Sequence, residues 1–136
     1  MIACGVSIAA SEAILVWIDG VTRAPLLGVA QRVSLQDPYS RQDLQQTSEV
    51  LRQLVTERKT DLIVIRKSST AGKFRASHVA YRMETLLILA AGCEIRFTSA
   101  QAVASFVKRE KPALPEALRA YQHDAYLAAL AGLTEA

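Results

Sequence analysis

The chain has 136 residues, of which 51% are hydrophobic and 21% charged. That length suits one domain, able to bury roughly two thirds of its unfolded surface without disulfide staples, and that composition excludes a disordered chain. The net charge is +3 and the pI is near 9.1, so a clustered basic patch would say more about partners than the total. Aromatic residues make up only 6%, which predicts an aliphatic core.

Cys4 and Cys93 lie far apart, with no CxxC and no Cys/His cluster at metal spacing. Both stand in apolar, strand-like runs, and buried reduced thiols are the expectation rather than a zinc site. The first residues carry no basic run, and Ser11, Glu12 and Asp19 interrupt their apolar stretch. This predicts neither a signal peptide nor a spanning helix, and a cytoplasmic protein without membrane contact.

In chain order, Ile2 to Ser7 is short, apolar and β-prone, and Ala9-Ala10-Ser11 reads as a turn. Ala13 to Ile18 is a second strand, and Asp19-Gly20 is a two-residue hairpin signal leading into a third, roughly Ala24 to Val33. Gln36 to Ser40 is a loop. Ser40 with Asp43 resembles a capping box, and Leu44, Leu51, Leu54 and Val55 recur at helical spacing from about Arg41 to Arg58. Leu62 to Ile65 is an unbroken apolar run, as in a parallel strand buried on both faces. Lys67 to Ser77 is a polar, basic loop. Ser77 can cap a helix from about His78 to Ala91 whose buried face holds Val79, Met83, Leu86, Leu87 and Ala90, with Gly92 as a suitable C′ residue. Glu94 to Thr98 is a fifth strand, and Ser99 caps a helix to about Arg109. After a loop with two prolines, Pro115 suits the first turn of a last helix reaching about Ala131. The order β-β-β-α-β-α-β-α-α predicts an α/β fold: a mixed five-stranded sheet with helices on its faces, one domain over residues 1–136.

That order resembles the ribonuclease H-like fold, in particular its RuvC-like resolvase branch. Cys4-Gly5-Val6-Ser7 looks like the first strand of that fold, Asp61-Leu62-Ile63-Val64-Ile65-Arg66 like its fourth, and Asp124-Ala125-Tyr126-Leu127-Ala128-Ala129-Leu130-Ala131 like its closing helix. Cys4-Gly5-Val6, Val64-Ile65-Arg66, Gly72-Lys73-Phe74 and Met83-Glu84 resemble more closely an uncharacterised bacterial family of small RuvC-like proteins. The resemblance implies a site where carboxylates hold two metal ions, with acids in the first strand, at the end of the fourth and on the last helix. This chain has Ser7 and Arg66 at the first two places, and only Asp124, beside His123, at the third. No Asp or Glu lies between Met1 and Ser11 or between Leu62 and Met83. One carboxylate does not hold two divalent ions, and Arg66 opposes them, so no metal site is expected. An unusual set, Asp124 with Glu84, is what a nuclease using Mg²⁺ or Mn²⁺ would need. A buried Arg66–Asp124 pair is the structural alternative for Asp124, and a helix-edge ion pair the alternative for Glu84.

From Leu62 to Met83 every ionisable charge is positive: Arg66, Lys67, Lys73, Arg75 and Arg82. His78 and Tyr81 lie nearby, and Ser68, Ser69 and Thr70 add hydroxyls. Ligands collect at the carboxyl ends of strands in open α/β sheets, and the helix start at Ser77 can meet a phosphate. Arg66, Lys67, Lys73, Arg75, Ser77 and Arg82 are therefore the candidate nucleic-acid or anion-binding residues, with a solvated loop as the plain alternative. The span lacks Walker spacing, and Ser7, His123 and Asp124 come without a nucleophile elbow. Trp17 suits the core better than base stacking, and Lys108, Arg109 and Lys111 suit an exposed surface.

The preferred expectation is non-catalytic binding of DNA or RNA as a polyanion, with no cofactor, on a scaffold with a degenerate metal site. The alternatives are a metal-dependent nuclease or resolvase of the RuvC-like class and a protein-interaction or regulatory module. The resemblance also implies a homodimer.

Overall fold

The computed structural model describes residues 1–26, 31–67 and 78–134. β1 (Ile2–Ala9) turns through Ala10 and Ser11 into β2 (Glu12–Asp19), with Ala9 paired to Glu12 and Ala10 in the left-handed region at φ 53°. β3 (Gln31–Ser34) pairs antiparallel with β2. α1 (Arg41–Glu57) follows, then β4 (Leu62–Arg66), α2 (His78–Ala90), β5 (Glu94–Thr98), α3 (Ala100–Glu110), a 3₁₀ turn (Ala120–Gln122) and α4 (His123–Thr134). The sheet order is β3-β2-β1-β4-β5, with β1, β4 and β5 mutually parallel.

Strand alternation divides the core into two layers. Cys4, Val6, Leu15, Trp17, Ile63 and Ile65 pack with Leu51 and Val55 of α1 and with Met83 and Leu87 of α2. Ala3, Val16, Ile18, Leu62 and Val64 pack on the other face with α3 and α4. Leu62 to Ile65 contribute to both layers and are fully buried, as an unbroken apolar run in a parallel strand requires. Trp17 belongs to the core, and its Nε1–H donates to Thr60 Oγ1 at 2.9 Å. Cys4 is buried, and Cys93 is half-buried; both are free thiols. Lys108, Arg109 and Lys111 are exposed. Among the described residues no helix is long and apolar enough to cross a membrane.

α4 sits unusually close to the sheet. A Cβ on Gly5 of β1 would land on the Ala125 carbonyl oxygen and within 2.8 Å of the Ala129 Cβ. One on Gly132 would come within 2.5 Å of both Val64 methyls. Ala125, Ala128, Ala129 and Ala131 complete the buried side of this small-residue helix.

Three local expectations are corrected. The connection after β2 is not a two-residue hairpin: Ile18 bridges Pro25, enclosing residues 19–24. The Asp19 carboxylate accepts from the Val21 and Thr22 N–H groups, both at 2.8 Å, and so organises a longer turn. Beyond that turn the Leu26 N–H donates to the Trp17 carbonyl at 2.8 Å; of the expected strand from Ala24 to Val33, Gln31 onward is β3 and residues 27–30 lie outside the described residues. Gly92 does not take the left-handed conformation; the Ala91 N–H closes the last turn of α2 on the Leu87 carbonyl and the chain then runs toward β5. The last helix begins at His123, eight residues after Pro115. Pro115 to Leu118 forms a single turn that drives Leu118 into the core. Arg119 is then extended, its N–H held by the Gln122 Oε1 at 2.8 Å.

Candidate nucleic-acid interface

The close seating of α4 carries its first turn over the carboxyl ends of β1 and β4. Ser7 lies two residues beyond Gly5 on the same face of β1 and is 5% exposed. Arg66 ends β4 on that face, two residues beyond Val64. Its Nη1 meets Asp124 Oδ2 at 3.2 Å, so two of the three positions at which the resemblance implies metal-binding acids form an ion pair with each other. The pair is not buried: its side chains are 34% and 63% exposed.

Thr98 stands opposite Arg66 in the β4–β5 register. It is buried, yet among the described residues its Oγ1 has no hydrogen-bond partner. The Lys67 N–H donates to the Thr98 carbonyl at 2.7 Å, and the Lys67 side chain is exposed. Just beyond, Ser99 caps α3 by accepting from the Ala102 N–H at 3.0 Å. One face at the end of the parallel strands thus gathers Ser7, Arg66, Thr98 and Asp124, with the exposed Lys67 next along the chain.

The other candidates do not all converge there. Lys73, Arg75 and Ser77 lie outside the described residues. Arg82 is on α2, across the sheet, with its guanidinium 4.8 Å from the Tyr39 ring centre. His78 is exposed at the start of α2, and Tyr81 is half-buried. Glu84 is half-buried on α2, next to Met83, whose side chain packs in the layer opposite α4. The sheet therefore separates Glu84 from Asp124. His123 begins α4 but brings no nucleophile to Asp124.

The divalent ions implied by the resemblance do not fit these residues. Mg²⁺ needs several hard oxygen ligands, carboxylates above all. This place offers two hydroxyls and one carboxylate already engaged by a guanidinium. Among the described residues no group of three or more His, Cys, Asp or Glu is arranged to hold a metal ion.

Two residues matter here that sequence reasoning missed. Thr98 joins Arg66 only through strand register, which no local pattern reveals. Arg96, two residues earlier, donates from Nη1 to the Gly132 carbonyl at 3.1 Å and pairs with Glu94 at 3.3 Å, which fixes the far end of α4. An arginine amid the apolar residues of β5 was the available signal.

Residues 1–132 match the family described as "Protein of unknown function (DUF3010)". The chain belongs to that family. No functionally curated protein matches this DUF3010 member. Among solved structures it is similar to Thermus thermophilus RuvC in complex with a Holliday junction substrate. The identity is 14%, the TM-score 0.75, and the match covers 96% of this chain and 91% of that one. A second Thermus thermophilus RuvC structure gives 10% identity, a TM-score of 0.73, and coverage of 96% and 92%. A ROK hexokinase from Thermus thermophilus gives 13% identity and a TM-score of 0.51 over 83% of this chain but 38% of the enzyme. The DUF3010 chain therefore has the ribonuclease H-like fold in its RuvC-like form.

Proposed function

We propose that this DUF3010 protein binds nucleic acid as a polyanion, through Arg66 and Lys67 at the end of β4 and the basic span to Arg82, without metal-dependent cleavage. The observation that carries the reading is the Arg66–Asp124 ion pair at 3.2 Å. It puts a permanent cation where two-metal chemistry needs anions, and phosphate contact is what a guanidinium in that place does best. The RuvC-like fold supports nucleic acid as the polyanion, since the matching RuvC structure holds a Holliday junction. The homodimer expected from the resemblance is part of the same proposal, and light scattering tests it.

Binding built from phosphate contacts is steeply salt-dependent and weakly sequence-specific. The experiment is fluorescence-polarisation binding to single-stranded, duplex and four-way-junction DNA at two salt concentrations, with and without Mn²⁺, followed by a gel of the products. The reading expects salt-sensitive binding, intact DNA, and weaker binding in the Lys73→Ala/Arg75→Ala variant. Metal-dependent cleavage lost in Asp124→Ala would establish the nuclease alternative instead. No binding even at low salt would leave a protein-interaction module.

A further inference from the structure

The Arg66–Asp124 contact has the form of a site holding a substitute for its ligand. One guanidinium nitrogen meets one carboxylate oxygen, whereas this pair of groups can join through two parallel bonds. A pair this exposed is weak, so another anion displaces the carboxylate readily. Beside it, Thr98 is 3% exposed and among the described residues its Oγ1 lacks a hydrogen-bond partner. A hydroxyl both donates and accepts. A buried one left alone marks a place that an ordered water or a ligand oxygen completes. Lys67 adds an exposed ammonium on a backbone tied to Thr98 at 2.7 Å.

We propose that Arg66, Lys67 and Thr98 form a subsite for one phosphate group, and that Asp124 is its internal competitor, a carboxylate that occupies Arg66 until a phosphate of the bound strand replaces it. The inference rests on the proposed nucleic-acid reading and deepens it. Phosphate and carboxylate present equivalent oxygen geometry to a guanidinium. Phosphate brings further oxygens that Lys67 and Thr98 can take up, and Asp124 cannot supply these. Asp124 therefore holds the subsite closed to weak anions and lowers affinity for any strand that engages it.

The test uses the full chain and fluorescein-labelled single-stranded DNA at about 50 mM salt, where phosphate contacts are strongest. Asp124→Asn keeps the shape of the side chain and removes its charge. It is expected to tighten binding about two- to fivefold, the size of an exposed pair. Glu57→Gln is the charge control; that residue is exposed at the end of α1, across the sheet from α4. Arg66→Ala is expected to lose more affinity in the Asp124→Asn background than in the wild type, because only there is the guanidinium uncontested. Thr98→Val is expected to weaken binding. Equal gains from Asp124→Asn and Glu57→Gln, or an Arg66→Ala loss that ignores residue 124, would overturn the competitor while wild-type binding kept the broader reading intact. Failure of both wild type and Asp124→Asn to bind would overturn the broader reading as well. Wild-type affinity in Thr98→Val would remove Thr98 from the subsite.

Discussion

Gly5 and Gly132 set the distance between α4 and the sheet, and through it the place of Asp124. Gly5→Ala puts a methyl group onto the Ala125 carbonyl. It is expected to cost about 1–3 kcal/mol or more, since the backbone must move to relieve the overlap, and thermal melting measures this. Thr98→Val has the opposite sign. It removes an orphaned hydroxyl from the interior and is expected to raise stability by up to about 1–3 kcal/mol in the same assay. If Thr98→Val gains stability and also weakens binding, Thr98 is a group retained at the expense of stability, as binding sites often are. Ser7, Arg66 and Asp124 were legible as a set because each occupies a strand or helix position fixed by the fold order. Thr98 was not legible, because its partner is chosen by the β4–β5 register and the chain between those strands carries no trace of it.

Among the elements, those with strong local signals came out where the sequence puts them. α1 starts on Ser40, whose Oγ accepts from the Asp43 N–H at 3.2 Å. Ser40→Ala is expected to cost about 1 kcal/mol, read as a lower denaturation midpoint with an unchanged slope. β4 and β5 were equally plain, the first from its unbroken apolar run. The hairpin after β2 and the last helix departed from the sequence reading for one shared reason. In each, a specific anchor overrides local propensity: the Asp19 carboxylate organises a turn longer than two residues, and Leu118 takes the residues after Pro115 into the core instead of into a helix. The cysteine reading can be tested at this scale too. Burial pushes the Cys4 thiol well above its ordinary range, and partial burial raises Cys93. A thiol reagent is expected to modify Cys93 slowly in the native protein and Cys4 only after unfolding, as peptide mass mapping would show.

At the scale of the whole molecule, Asp19 and Cys4 bound the pH range of the fold. The N–H groups of Thr22 and Val21 hold the Asp19 carboxyl below the usual carboxylate range. A carboxyl depressed by folding stabilises the fold above its unfolded pKa, about 3.9, and that contribution disappears as pH falls through the lower folded value. Asp19→Ala is therefore expected to flatten the acid limb of stability against pH. The Cys4 thiol, raised by burial, acts at the other end. Its neutral form suits the fold fully below the unfolded thiol pKa of about 8.5, and stability is lost as pH rises beyond it. Between those limits a net charge of +3 is small, so the proposed binding to a polyanion depends on where the cations stand. The direct test is the slope of log affinity against log salt for DNA, measured for the wild type and for Arg66→Ala. The account predicts a negative slope that becomes shallower by about one unit when Arg66 is removed, the signature of one lost phosphate contact. An unchanged slope in Arg66→Ala, or the absence of any salt-dependent binding in the wild type, would contradict it.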